Sequence, residues 1–157
     1  MKKMMMLFVV AATVTLVGCS KSKEEASIPE ATLEFTLDGK TFAFEGHHRC
    51  HIVYSNNSDK HGFRFVAQRD REFVNFWTNT ASSSVLQTGE YHDQNLFDWQ
   101  LDGLMDFRGT GTVKITRIKD AKYHSGTLSG TMSYRLLNGQ RKTVPIENGK
   151  FENLQLR

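Results

Sequence analysis

Cysteine and proline are scarce in this chain of 157 residues, which has two of each. So few cysteines exclude a disulfide-dense scaffold, and so few prolines exclude a collagen-like chain. Hydrophobic residues make up 39% and charged residues 24%, which is ordinary for a globular protein and excludes wholesale disorder. At this length we expect one domain with a terminal extension.

The chain also lacks a strong charge of one sign. Its formal net charge is +3, and two of its basic residues, Lys2 and Lys3, lie in an N-terminal segment that we expect to be removed. Without them the basic and acidic residues nearly balance. The sequence therefore offers no electrostatic argument for a nucleic-acid partner.

One long apolar run stands near the start of the chain. Residues 4–17 are apolar except for two threonines, and they follow the positive start Met1-Lys2-Lys3. A helix across a membrane needs about 20 apolar residues, so the run is too short for a span. Its basic flank and abrupt polar end argue against a buried core helix. The pattern predicts a signal peptide over residues 1–18.

The leader ends in Leu-Val-Gly and is followed by Cys19, and this junction resembles the lipobox of bacterial lipoproteins. The resemblance implies cleavage before Cys19 and palmitate-type acyl chains that anchor the protein in a membrane of the cell envelope. Ordinary secretion with a structural Cys19 is the alternative. Residues 19–31, which include the lipidated cysteine, are polar and predict a flexible tether.

Within the tether, residues 23–25 (Lys-Glu-Glu) resemble export signals of outer-membrane lipoproteins. A solvated linker explains the same residues equally well. The expected location is the outer membrane, on its periplasmic or its surface-exposed face.

From residue 32 onward the dominant hydrophobic period is two. Leu33, Phe35 and Leu37, for example, alternate with polar residues, as expected of strands with one face in a core. We predict strands over residues 32–37, 40–46, 49–55, 62–69, 72–78, 85–91, 95–101, 104–108, 111–119, 125–137, 140–147 and 150–156. No sustained helical stripe occurs. The prediction is a single all-β domain over 32–157, an antiparallel sandwich or barrel of about 10–12 short strands with little helix.

Four dipeptides that favour tight turns support antiparallel neighbours, because each lies between two strand-like runs and tolerates the positive φ of a hairpin turn. They are Asp38-Gly39, Asp102-Gly103, Asn138-Gly139 and Asn148-Gly149. Pro145 cannot donate to a ladder, which places its strand at an edge or at a bulge. The broken alternation of residues 113–118 predicts a further bulge.

The C-terminal half carries three motifs in order: Gly-Thr-Val-Lys-Ile-Thr from residue 111, Ser-Gly-Thr-Met-Ser-Tyr from residue 129 and Ile-Glu-Asn-Gly-Lys-Phe from residue 146. Together with the Asp38-Gly39-Lys40 hairpin, they resemble a family of small bacterial lipoproteins of unknown function. Met132 and Tyr134 stand where the family has phenylalanines, and Pro145 is a departure. The resemblance implies a fold and a location, and it carries no activity.

The segment 47–51 (His-His-Arg-Cys-His) holds the candidate metal ligands. On a strand, His48 and Cys50 would point to the same side about 7 Å apart and could share one ion. The alternative is a loop or edge strand with exposed imidazoles and with Cys50 as a small buried hydrophobe. A third ligand would have to come from His61, His92 or His124.

Aromatic residues concentrate in the middle of the chain. Outward-facing rings could stack on sugars or contact a partner, but such residues more often fill a core, and we expect a core here. They are Phe73, Phe76, Trp77, Tyr91, Phe97, Trp99 and Phe107.

These observations favour a lipid-anchored, non-enzymatic β-domain of the bacterial envelope that acts by binding or as a structural accessory. Its partner would be a small molecule, a glycan or a protein, and we assign it no cofactor. A second hypothesis is a carrier with a pocket for a metal, a haem or a lipid. The third is an envelope hydrolase, which would need a histidine within hydrogen-bond reach of Cys50 or of a serine.

Overall fold

The structure is a computed structural model that describes residues 27–57, 60–79, 84–93, 97–100, 108–136 and 138–157. These residues form ten strands and no helix, so the all-β prediction is confirmed. The strands are β1 Thr32–Leu37, β2 Lys40–Glu45, β3 Cys50–Asn57, β4 Lys60–Arg69, β5 Glu72–Asn79, β6 Gly89–Asp93, β7 Phe97–Gln100, β8 Arg108–Lys119, β9 Tyr123–Arg135 and β10 Arg141–Leu156. The described part of the chain has no helix with the length and apolarity to cross a membrane.

Strand β10 joins the two layers of the sandwich. It pairs with β9 on one side, and on the other it pairs first with β1 over residues 146–152 and then with β3 at Gln155 and Leu156. One layer has the order β2-β1-β10-β9-β8-β6, and the other has the order β3-β4-β5-β7. Among the described residues β6 and β7 do not pair, so the sheet is open.

The pairing of β10 with β3 is parallel, whereas the other pairings between described strands are antiparallel. The turn signals in the sequence predicted antiparallel neighbours. A parallel pair cannot be made by a tight turn, so no local turn signal could have announced it.

Phenylalanines form the centre of the core between the layers. Phe35 of β1 meets Phe76 of β5 edge to face, with ring centroids 5.9 Å apart, and Phe65 of β4 lies 5.3 Å from Phe151 of β10. All four side chains are buried. The period of two explains their positions: in β1 every second side chain is buried, as the sequence predicted.

Two of the predicted hairpin turns are confirmed. Asp38 and Gly39 have φ of 50° and 77° and connect β1 to β2. Asn138 and Gly139 connect β9 to β10, and the Gly139 amide donates to the Leu136 carbonyl at 2.8 Å. The predicted turn at residues 102–103 lies outside the described residues.

The predicted turn at Asn148-Gly149 is wrong. These residues form a bulge inside β10, where the register against β9 shifts and Asn148 has a φ of 53°. A Cβ on the buried Gly149 would lie 2.1 Å from the Leu128 carbonyl oxygen, so this glycine serves the close packing of strands rather than a chain reversal. The predicted strands 140–147 and 150–156 are therefore one strand.

The two other predicted irregularities are confirmed. The register between β8 and β9 shifts between Ile115 and Arg117, inside the predicted bulge. Pro145 is exposed and pairs with β9, and β1 begins to pair with β10 only at Ile146. The missing N–H of the proline therefore leaves no ladder bond unmade on that side.

The predicted strand 85–91 is wrong in its first half, because β6 begins at Gly89. The Tyr91 hydroxyl accepts from the Gln87 amide at 2.9 Å and donates to the Gln87 carbonyl at 2.8 Å. These two bonds fold residues 87–91 back on themselves. Of the predicted strand 104–108, only the last residue is described.

The domain holds the end of the predicted tether. The Pro29 carbonyl accepts from His47 Nε2 at 2.6 Å, and the amide of Gly46 donates to the carbonyl of Ala31 at 2.7 Å. Ala31 is fully buried. Residues 29–31, which we assigned to the tether, are thus in contact with the domain.

Candidate functional site

Several residues that the sequence analysis singled out lie outside the part of the chain that the structure describes. They include Cys19, the signal peptide over 1–18 and Phe107, and only the backbone is described for His61, Phe97 and Trp99. Lipidation of the cysteine therefore stays a prediction.

The segment with the predicted metal ligands begins as a turn. The amides of Arg49 and Cys50 both donate to the Gly46 carbonyl, at 3.0 and 2.9 Å, and β3 begins only at Cys50. His48 is exposed and its ring lies against Gly46, whereas Cys50 is fully buried. Burial raises the pKa of the Cys50 thiol to about 12. The predicted geometry, with both side chains on one strand face, is wrong.

Two of the three proposed third ligands, His92 and His124, do not complete a metal site with His48 and Cys50. His92 is exposed on β6 and hydrogen-bonds Thr112 at 2.9 Å, while His124 is buried on β9 with its Nδ1 3.3 Å from the Leu154 carbonyl oxygen. Among the residues that the structure describes, no group of three or more histidine, cysteine, aspartate or glutamate side chains is placed to hold a metal ion. The described structure gives the predicted metal site no support.

A different surface brings together polar and aromatic groups from three strands. Register places Val53 of β3 opposite Arg64 of β4, and Arg64 opposite Trp77 of β5. In the adjacent row Val66 lies between His51 and Asn75. These side chains face outward, since the residues that alternate with them are buried. We call the six half-buried residues the cationic face: His51, Val53, Arg64, Val66, Asn75 and Trp77.

The Arg64 guanidinium is the centre of the cationic face. Its Cζ lies 5.5 Å from the centroid of the Trp77 ring, a cation–π contact that orients the long side chain. Its Nε is buried without a hydrogen-bond partner, and no described carboxylate pairs with it. The remaining N–H donors of Arg64 are therefore available in a planar fork that suits carboxylate or phosphate oxygens.

His51 lies diagonally across the strand pair from Arg64, at a separation of about 7 Å. Its Nδ1 is buried and has no hydrogen-bond partner among the described residues. Burial, followed by the positive charges of Arg157 and Arg64, lowers the pKa of His51. The imidazole is therefore neutral near pH 7, and an anion bound beside Arg64 would favour its protonated form.

Arg157 extends positive charge from the cationic face toward β10. Its amide donates to the Ile52 carbonyl at 2.9 Å, and its Nη2 donates to the His47 carbonyl at 2.8 Å. The His47 ring in turn lies 5.7 Å from the Tyr123 ring. The C-terminal guanidinium is thus fixed next to the turn where the chain passes from β2 to β3.

The outer face of the other layer differs in its chemistry, since several of its polar groups pair with one another. Hydroxyl and charged pairs join neighbouring strands across β1, β2, β6, β8, β9 and β10. They are Thr36–Thr41 at 3.1 Å, Ser133–Thr143 at 2.6 Å, Thr110–Thr131 at 3.4 Å, His92–Thr112 at 2.9 Å and Lys114–Glu90 at 2.8 Å. We call this surface the hydroxyl face.

Two shallow grooves cross the hydroxyl face, with volumes of about 570 and 440 Å³. Asn148, Lys150 and Glu152 line both of them. Lys150 is paired with Glu152 at 2.6 Å, and Arg117, which lines the larger groove, donates to the Ser125 hydroxyl at 3.2 Å. Neither of these two grooves encloses a volume as a haem or lipid pocket would.

The aromatic residues divide between core and surface. Phe76 is buried, as we expected of this cluster, but Phe73, Trp77 and Tyr91 are only half-buried. Trp77 contributes to the cationic face, which the sequence analysis did not identify. The alternation Phe63-Arg64-Phe65 could have indicated that Arg64 points outward, but its position beside Trp77 depends on the register of β4 and β5.

Comparison of the chain with protein families, with curated proteins and with solved structures finds no match. The similarity to a lipoprotein family therefore stays a prediction from its motifs.

Proposed function

We propose that this protein is a lipid-anchored, non-enzymatic binding domain of the bacterial envelope, and that its cationic face binds a partner through oxyanions. The observation that carries the proposal is Arg64, which is stacked on Trp77 and has no carboxylate partner among the described residues. Partly buried arginines are normally paired, since an unpaired buried charge is costly, and a bound oxyanion would supply the missing partner.

The N-terminal sequence supports the anchor. The leader over residues 1–18 and the Leu-Val-Gly-Cys19 motif are typical of lipoproteins of the bacterial envelope, and residues 23–25 resemble an export signal that would direct the protein to the outer membrane.

The chemistry of Cys50 supports a binding role over a hydrolytic one. A catalytic thiol is partly exposed and has a lowered pKa, because the thiolate is the nucleophile. Cys50 has the opposite properties, since it is fully buried and its pKa is raised to about 12.

Fractionation of cells that express the full chain tests the anchor. The wild-type protein should sediment with membranes and incorporate labelled palmitate, and Cys19→Ala or treatment with globomycin should prevent the incorporation and change the fractionation. A wild-type protein without acyl chains on Cys19 in mass spectrometry would refute the anchor.

Thermal unfolding of the detergent-solubilised full chain tests the binding face. Inorganic phosphate should raise the unfolding midpoint above its value in chloride at equal ionic strength, because a ligand that binds the folded state stabilises it. Arg64→Gln should abolish this difference. The matched control is Lys150→Gln, which removes one positive charge from the hydroxyl face and should retain it. An equal response of both variants would refute oxyanion binding at the cationic face.

A further inference from the structure

The path of the chain brings its N-terminal segment to one end of the cationic face. His47 binds the Pro29 carbonyl through its ring and the Arg157 guanidinium through its own carbonyl. Arg157 in turn donates its amide to Ile52, the neighbour of His51 in β3. The N-terminal segment that leads into the domain therefore lies at the same end of the molecule as Arg157 and His51.

The length of chain before this junction limits how far the domain can move from its anchor. Nine residues separate Cys19 from Pro29, and a fully extended chain of that length spans roughly 30 Å. The end of the domain that carries His47 and Arg157 is therefore the end that a membrane-bound Cys19 would hold closest to the bilayer.

The composition of the cationic face suits an anionic membrane surface. Arg64 and Arg157 supply positive charge, and none of the six side chains of the cationic face is acidic. Trp77 adds an amphipathic ring of the kind that settles among lipid headgroups. Asp98 of β7 is the register partner of Asn75, on the side of the cationic face that is farther from β10.

We propose that the cationic face docks on the membrane that carries the anchor, with the phosphates of anionic phospholipids against Arg64 and Arg157 and with Trp77 at headgroup level. This inference rests on the proposed function, since it requires the lipid on Cys19. The tether keeps the domain at a high effective concentration near the bilayer, so that a weak interaction is enough to orient it. The hydroxyl face is then directed away from the membrane.

The test compares two labelled positions in the lipidated full chain, reconstituted in phosphatidylcholine vesicles with and without phosphatidylglycerol. Val53→Cys places an environment-sensitive fluorophore on the cationic face, and Thr131→Cys places it on the hydroxyl face; the native Cys50 is buried and unreactive. The label at position 53 should shift to the blue only in vesicles with phosphatidylglycerol, and the label at position 131 should not change.

Removal of single positive charges measures how much each arginine contributes to the docking equilibrium. Arg64→Gln should lower the docking equilibrium constant about fivefold, the equivalent of about 1 kcal/mol for one basic residue at an anionic surface. Arg157→Gln changes an exposed terminal residue and should act similarly, which keeps the test valid if Arg64→Gln impairs folding. Lys150→Gln is the matched control and should have no effect.

The outcomes separate this inference from the proposed function. If the two labels respond alike, or if phosphatidylglycerol has no effect at position 53, membrane docking is refuted. Stabilisation by inorganic phosphate in the same preparation would then identify a soluble oxyanion as the ligand and leave the proposed function intact. Loss of both responses would refute the binding role of the cationic face as well.

Discussion

On the hydroxyl face, side chains hydrogen-bond to one another across neighbouring strands, as Ser133 does to Thr143 at 2.6 Å. On the cationic face, by contrast, Nδ1 of His51 and Nε of Arg64 are buried and have no hydrogen-bond partner among the described residues. Both surfaces are outer faces of the same sandwich and cover the same core.

The cationic face is the surface that the fold leaves with unpartnered polar atoms. A buried polar atom without a partner costs about 1–3 kcal/mol, so such atoms call for a specific explanation where they occur. A surface that pairs its own groups needs no ligand to satisfy them. The cationic face carries that cost in the free protein.

If both layers depend on the same core, removal of a buried ring from either layer should cost a similar free energy of unfolding. Phe65→Ala in one layer and Phe151→Ala in the other should each lower the free energy of unfolding by about 4 kcal/mol, because each removes a fully buried ring. The rings touch across the core, so the double variant should lose less than the sum of the two. Urea unfolding measures all three. If only one of the two single variants lowered the free energy of unfolding, only the layer that contains it would depend on the core.

In the layer that carries the hydroxyl face, the backbones of neighbouring strands approach one another closely. A Cβ at Gly126 would lie 1.9 Å from the Lys114 carbonyl oxygen and 2.8 Å from Phe151, so we expect Gly126→Ala to cost about 3 kcal/mol. The control is Gly139→Ala in the β9–β10 turn, where no atom lies within 4 Å and only the φ of 84° opposes a side chain. Its cost should be about 1 kcal/mol. Equal losses in chemical denaturation would contradict the close approach of β8 and β9.

Substitution on the outer faces tests the comparison directly. Trp77→Ala removes a half-buried ring that packs with Arg64, and we expect a loss of about 2 kcal/mol in the free energy of unfolding. Thr131→Ala on the hydroxyl face removes an exposed hydroxyl group and should change stability by no more than about 0.5 kcal/mol. A loss for Thr131→Ala as large as that for Trp77→Ala would remove the distinction between the faces.

The smallest expected effect is on the pH dependence of stability. Burial lowers the pKa of His51 on the cationic face and of His124 in the core. Below about pH 6.5, the ordinary pKa of histidine, the unfolded chain therefore binds protons before the folded one, and stability should fall as the pH is lowered. His124→Gln and His51→Gln should each reduce this slope.

The control for the pH dependence is His48→Gln, because His48 is exposed on its turn. Unfolding free energies between neutral and mildly acidic pH give the slope for each variant. If the unfolding free energies of His51→Gln and His124→Gln depended on pH as steeply as that of the wild type, burial of these histidines would not be the source of the pH dependence.

Local sequence signals predicted most strands and failed where distant segments decide. Asp38-Gly39 and Asn148-Gly149 are similar turn signals, yet the first makes a hairpin and the second makes a bulge inside β10. A dipeptide shows that positive φ is tolerated, and it does not show whether the following residues turn back or continue beside β9. The irregularity near Ile115 was predicted correctly because it interrupts the period itself.

The candidate sites show the same limit. The prediction placed His48 on the same strand as Cys50, but the Gly46 carbonyl accepts hydrogen bonds from two amides there and the chain makes a turn. Of the cationic face, the sequence could indicate only that Arg64 points away from the core. The neighbours of Arg64 on β3 and β5 follow from strand register, which depends on contacts along the whole length of the strands.

The all-β class can be read from the sequence alone, because an apolar period of two follows from the geometry of a single strand. Several chain reversals and a bulge can be located in the same way, since those depend on one or two residues. The role of β10 in joining the two layers, and the shared surface of His51, Arg64 and Trp77, became visible only in the folded chain. Those choices depend on which distant strands bury their apolar faces together, and no local stretch of sequence contains that information.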